Sequence, residues 1–145
     1  MLACTYQIRS FQLSDYVGVT ELLEDVLSEA CYEETMKAFA RQLSWDSELI
    51  MVAEEDGRVV GVIVGTIDNH NGYYYRIAVS KAYRRRGIGK ALIESLRTRF
   101  VLRKVRRIMV NVDVHNEVVL PLYESVGYQE NDFSHTPHRL KIVAG

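Results

Sequence analysis

Long hydrophobic runs are missing from this sequence. Its most apolar stretches, such as Val59 to Gly65, are far too short to cross a bilayer, so no membrane role is expected. No basic segment precedes an apolar one near Met1, so no signal peptide is expected either. Cysteine is nearly absent: Cys4 and Cys31 make no metal-type spacing, and a reducing, cytoplasmic setting is the simpler one. The histidines, His70, His115, His135 and His138, show no tight ligand spacing, which gives no reason to expect a metal. Repeats, low-complexity tracts and Pro/Ser-rich linkers are also lacking. The 145 residues therefore read as one domain, 1–145, long enough to bury a core without staples.

What is present is an ordinary globular mixture, 48% hydrophobic and 26% charged, with a net charge of only -1. That small balance hides a polarised distribution. Lys81, Arg84, Arg85, Arg86, Lys90, Arg97, Arg99, Arg103, Lys104, Arg106 and Arg107 face Glu94 alone in their stretch. Between Asp15 and Asp56, acidic residues outweigh Lys37 and Arg41. A basic half suits an anionic ligand and an acidic half a cationic one, although two solvated faces explain the charge alone equally well.

Periodicity supplies the elements. Tyr6 to Arg9 reads as a first strand, and Ser14 as the cap of a helix with Val19, Leu22, Leu23, Val26 and Leu27 at helical spacing. A second helix is expected over Glu33 to Leu43. Leu49 to Glu54 and Val59 to Ile67 read as strands around an Asp56-Gly57 hairpin turn. A turn at Asn69 to Gly72 leads to a strand from Tyr73 to Val79, in which Tyr73, Tyr74 and Tyr75 alternate faces. Ile88, Leu92, Ile93 and Leu96 mark a helix, and Ile108 to Val114 a strand with Asn111, Asp113 and His115 on its polar face. Asn116 can cap a helix ending near Gly127, with Pro121 inside it or near its start. Arg139 to Val143 reads as a last strand. A strand meander followed by strand–helix–strand–helix–strand predicts an α/β domain with a central sheet and helices on both sides.

Between the strand ending at Val79 and the helix beginning at Ile88 stands Arg84-Arg85-Arg86-Gly87-Ile88-Gly89-Lys90. A helix start offers unpaired N–H groups and the positive end of its dipole, which suits phosphate. Gly87 and Gly89 let an anion approach the backbone, and the basic side chains add charge. Two other phosphate motifs fail: a dinucleotide fingerprint needs Gly or Ala where Leu92 stands, and a P-loop needs Gly at Arg84 and Ser or Thr at Ala91.

These residues resemble the GCN5-related N-acetyltransferase (GNAT) family. Its cofactor motif, Arg/Gln-x-x-Gly-x-Gly/Ala, is matched by Arg84-x-x-Gly87-x-Gly89, preceded by a strand-like Tyr75-Arg76-Ile77-Ala78-Val79. Asn116 to Tyr123, followed by Glu124-Ser125-Val126-Gly127-Tyr128, is similar to the family's second motif, at fitting spacing. The resemblance implies a mixed, largely antiparallel central sheet flanked by helices on both sides. It also implies acetyl transfer from acetyl-CoA to a primary amine by direct attack. Backbone groups of Ile77, Ala78 and Val79 would pair with pantetheine, and N–H groups from Arg85 to Lys90 would hold the pyrophosphate. Asn116 would bond the pantetheine and Tyr123 would protonate the departing thiolate. A tyrosine is protonated at neutral pH, and a thiolate gains from that proton as it leaves.

The family's usual glutamate base is missing. An alkyl ammonium costs about 4–5 kcal/mol to deprotonate at pH 7 unaided. Tyr75 and Asn111 occupy the positions where many members carry the base. Asp113, His115, Glu54, Glu117 or a water remain open for the task. The acidic first half favours a cationic acceptor, such as a polyamine, lysine or a peptide amino terminus. A non-catalytic acyl-CoA sensor is the alternative that the missing base suggests. Nucleic acid is not expected as a partner, because Phe100 is the lone aromatic from Arg97 to Arg107. Association as a homodimer stays open.

Overall fold

A computed structural model describes residues 5–135. Six strands form one sheet in chain order: β1 (Tyr6–Ser10), β2 (Ile50–Glu55), β3 (Arg58–Asp68), β4 (Asn71–Val79), β5 (Arg107–Asn111) and β6 (Phe133–Ser134). The first four pair antiparallel, and β5 and β6 add in parallel. This is the mixed, largely antiparallel sheet expected. Asp56 and Gly57 both take positive φ in the β2–β3 turn, as do Asn69 and His70 between β3 and β4.

Helices cover both faces. The helices α1 (Tyr16–Val26) and α2 (Glu29–Asp46) bury Val19, Leu22, Leu23 and Phe39 against Ile50, Val52, Val62 and Val64. On the other face α3 (Ile88–Leu102) packs Leu92, Leu96 and Phe100 against Met51, Ile63 and Tyr74. A Cβ on Gly65 would stand 2.7 Å from Leu96 and 2.9 Å from Phe100, so only glycine lets α3 lie so close to the sheet. The helix α4 (Leu120–Ser125) completes this layer.

Two irregularities in β4 give the sheet its opening. Val64 pairs with Arg76 but Gly65 with Tyr74, so Tyr75 is an extra residue in β4. The bulge inverts the strand's alternation: Tyr74 and Ile77 both face α3, while Tyr75 and Ala78 both face α1 and α2. Secondly, β4 and β5 pair only over Asn71–Tyr74 and Arg107–Val110. Beyond Tyr74 the two strands part, and among the described residues the edge of β4 toward β5 is left open.

Several sequence expectations need correction. Ser14 does not cap α1; it lies inside a 3-10 turn, Leu13–Asp15. The buried carboxylate of Asp15, fixed by Arg9 at 2.7 Å, takes the Gln12 N–H instead. The second helix starts earlier, where Ser28 accepts from the Cys31 N–H at 3.2 Å, and runs to Asp46. Its buried stripe of Cys31, Thr35, Phe39 and Gln42 is half polar, which hid it from a hydrophobic count. The fifth strand stops at Asn111, and Val114 is 84% exposed. A side-chain turn competes with the strand there: Asp113 takes the His115 N–H, and Asn116 takes the Asp113 N–H. Asn116 precedes a 3-10 turn, Glu117–Val119, without a capping bond from its side chain. Pro121 sits in the first turn of α4, where its missing N–H breaks no helical bond. The expected strand Arg139 to Val143 lies outside the described residues.

Candidate functional site

The parting of β4 from β5 opens a cleft of about 860 Å³. One wall is the free edge of β4, from Arg76 through Ile77 and Ala78 to Val79. The α1–α2 junction, with Val26, Leu27, Ser28 and Cys31, closes one side, and His115, Asn116, Val118, Val119 and Leu122 the other. At the far end stand Arg84, Arg85 and the first turn of α3. An open strand edge offers N–H and C=O groups in sequence, which suits an extended, amide-bearing chain.

The far end is built from backbone. Gly87 precedes α3 in the left-handed conformation, φ 83°, with no side chain capping the helix. The N–H groups of Ile88, Gly89 and Lys90 lack helical acceptors and stand at the cleft. Gly89 has a second duty: a Cβ there would meet Leu122 at 2.9 Å, so it also lets α4 pack on α3. The side chain of Ile88 is buried in the core, leaving its backbone at the site. The Arg84 guanidinium donates to the Val79 carbonyl at 3.2 Å, folding the loop over the end of β4. The Arg86 side chain turns to another partner. Its guanidinium pairs with Glu55 at 2.7 Å and stacks over Tyr83, and it is not on the cleft wall. That hydrogen bond holds the Glu55 carboxyl below the usual carboxylate range.

The near end is built from side chains. The bulge in β4 sends Arg76, 3% exposed, toward α2 and the β5–α4 loop. There its Nε donates to Thr35 Oγ1 at 3.0 Å and its Nη1 and Nη2 to both oxygens of Asp113 at 3.3 and 3.1 Å. Burial works against this cation, but Asp113 more than offsets it and the guanidinium is held charged. Glu34 Oε2 stands 3.8 Å from Arg76 Nη2 and 3.4 Å from His115 Nε2. Sequence reading missed Arg76, Glu34 and Thr35. The available signal was an arginine inside an otherwise apolar strand, which needs a carboxylate from somewhere.

Tyr123 lies in the core, 1% exposed, with its ring 5.3 Å from Tyr74 and 6.3 Å from Tyr128. It is not on the cleft wall, which α4 and its preceding turn supply through Leu122, Val118 and Val119. Burial pushes the Tyr123 phenol well above the usual tyrosine range, so it stays protonated. No hydrogen bond of its hydroxyl is seen among the described residues. The Tyr128 hydroxyl, by contrast, bonds Tyr74 at 2.6 Å and accepts from Arg97 at 3.0 Å, tying the end of α4 to β4 and α3.

The remaining expected residues divide cleanly. Asn116 lines the cleft, yet its amide spans its own loop, accepting from Asp113 N–H and donating to the Asn111 carbonyl. Glu54 is engaged by Arg9 at 2.9 Å on the β1–β2 pair, away from the cleft. Glu117 is exposed and off the wall, and Tyr75 and Asn111 are buried. Of the four bases considered, His115 lines the cleft and Asp113 is bound to Arg76. Among the described residues no group of three or more His, Cys, Asp or Glu is placed to hold a metal ion. No helix among them is long and apolar enough to cross a membrane.

The chain belongs to the acetyltransferase (GNAT) family, whose family model matches residues 17–128. Solved structures share the fold. The PaiA N-acetyltransferase from Thermoplasma acidophilum, in complex with coenzyme A, is 18% identical with a TM-score of 0.68, covering 87% of this chain and 91% of its own. The ribosomal-protein-S18-alanine N-acetyltransferase from Escherichia coli is 22% identical with a TM-score of 0.65, covering 84% and 76%. Diaminobutyrate acetyltransferase EctA from Paenibacillus lautus, bound to L-2,4-diaminobutyric acid and coenzyme A, is 25% identical with a TM-score of 0.63, covering 83% and 74%.

Proposed function

We propose that this protein transfers the acetyl group of acetyl-CoA to a primary amine by direct attack of the amine on the thioester. The observation that carries this reading is the single cleft that joins an open strand edge to an uncapped helix start. Ile77, Ala78 and Val79 would bond the pantetheine amides through their backbone, with Asn116 on the opposite wall. The N–H groups from Arg85 to Lys90 would bind the pyrophosphate, helped by the charges of Arg84, Arg85 and Lys90. Arg86 would contribute backbone alone, since Glu55 holds its side chain.

Tyr123 would give its proton to the departing thiolate. Its burial favours the neutral phenol, which keeps a proton available to give. The relatives bound to coenzyme A support the cosubstrate, and the one bound to a diamino acid supports an amine acceptor. A non-catalytic acyl-CoA sensor is the second reading, favoured by Tyr123 standing off the cleft wall and by buried Tyr75 and Asn111 where a base is usual.

Calorimetry with acetyl-CoA, paired with a thiol-release assay over an amine panel, tests both readings. Saturable binding with release on at least one amine is expected. Binding without release on any amine would favour the sensor, and no binding would overturn both. Tyr123→Phe should lower kcat about 100-fold while leaving acetyl-CoA affinity intact. Unchanged turnover would remove Tyr123 from the chemistry.

A further inference from the structure

The cleft's near end holds charge that the proposed cosubstrate contacts do not use. Glu34 from α2, Arg76 from β4, and Asp113 and His115 from the β5–α4 loop form a closed ring. Glu34 touches His115 and Arg76, Arg76 holds Asp113, and Asp113 Oδ1 takes the main-chain N–H of His115 at 2.8 Å. With His115 neutral the ring sums to -1, from two carboxylates and one guanidinium. With His115 protonated it sums to zero. Glu34 from α2 stands against this imidazole, Asp113 takes its main-chain N–H, and Cys31 and Arg76 share the cleft wall with it. Lys90, Arg84 and Arg85 stand at the far end of the cleft.

The geometry points to His115 as the base that takes the first proton from the acceptor ammonium, with Glu34 as its positioning residue. The inference rests on the acetyl-transfer reading above. His115 lines the same cleft as the β4 edge, and its Nε2 is turned to Glu34 Oε2. That contact favours the tautomer with hydrogen on Nε2 and leaves the lone pair on Nδ1.

Every proton in the step has a donor and a destination. His115 takes one proton from the ammonium, directly or through a water, and passes it to solvent. The freed nitrogen lone pair forms the C–N bond at the thioester carbonyl. Collapse of the tetrahedral intermediate breaks the C–S bond, and the sulfur takes the Tyr123 proton. The second N–H proton of the nitrogen returns to Tyr123. The net products are the acetamide, the CoA thiol and one proton released to solvent.

The test is the pH dependence of thiol release by the purified wild-type chain, His115→Gln and Glu34→Gln, using the best amine of the panel. In the wild type, kcat/KM should rise with pH as the imidazole loses its proton. His115→Gln should fall about 100-fold at pH 7, with unchanged acetyl-CoA affinity and partial rescue by added imidazole. Glu34→Gln removes the carboxylate that orients the imidazole, so it should lower kcat/KM about 10-fold, and Glu34→Asp should restore part of the loss. Release with a His115→Gln profile like the wild type's overturns this inference alone. Absence of acetyl-CoA binding by the wild type overturns the acetyl-transfer reading and this one with it. A loss in His115→Gln that added imidazole does not relieve, together with unreduced turnover in Glu34→Gln, also overturns it.

Discussion

The two ends of the cleft are made of different material. The far end is backbone: three N–H groups of one helix turn, set by a left-handed glycine and surrounded by charge from a continuous stretch of chain. The near end is side chain: four charged or titratable residues from α2, β4 and the β5–α4 loop, brought together by a bulge. A backbone site depends on conformation and tolerates exchange of most side chains around it. A side-chain site depends on each member, because a buried charge left without its partner is costly.

That contrast can be broken most sharply at Arg76. Arg76→Ala leaves Asp113 and Glu34 facing each other across a half-buried gap, and should cost about 3–5 kcal/mol of stability, read as a lowered urea midpoint with unchanged slope. A loss below about 1 kcal/mol would mean that the near end is wetter and looser than its geometry implies. At the far end, Gly87→Ala forces an L-residue to hold φ 83°, with only an ordinary contact to the Tyr6 hydroxyl, 3.7 Å from the new methyl group. The expected cost is about 1–2 kcal/mol of stability, with weakened acetyl-CoA binding by calorimetry, since the helix start must shift to relieve it. The smallest effect belongs to Arg86→Ala. It breaks a partly exposed ion pair to Glu55, so stability should fall by less than about 1 kcal/mol and acetyl-CoA affinity should hold. A large loss of affinity would put that guanidinium back among the phosphate ligands.

The same contrast explains what could be read in advance. The far end was legible because its parts are neighbours in sequence: Arg84, Gly87 and Gly89 mark a loop that enters a helix. Hairpins were legible at Asp56-Gly57 and at Asn69 to Gly72 for the same reason, although β4 already begins at Asn71, and the layered α/β architecture followed from period alone. The near end was not, because nothing local links Glu34 to His115 or Arg76 to Asp113. The length of α2 escaped because Thr35 and Gln42 occupy its buried stripe. The strand ending at Asn111 escaped because Val112 and Val114 continue its alternation while Asp113 and Asn116 draw the backbone into a turn. Gly127-Tyr128 was readable as a motif, but its service as a clamp through Tyr74 and Arg97 is a tertiary fact. Arg86 shows the converse hazard, since a cation in the right motif can be claimed by a distant Glu55.

The open edge of β4 has a consequence for the molecule's endurance. A wedge between parting strands is a gap in the sheet, and a ligand that hydrogen-bonds along it acts as a temporary extra strand joining the two halves. Resistance to unfolding then becomes a function of ligand supply: at one hundred times its dissociation constant, such a ligand adds about 2.7 kcal/mol. A chain of this build would be hardest to melt or digest when its cosubstrate is plentiful, and most exposed to proteolysis when it runs low.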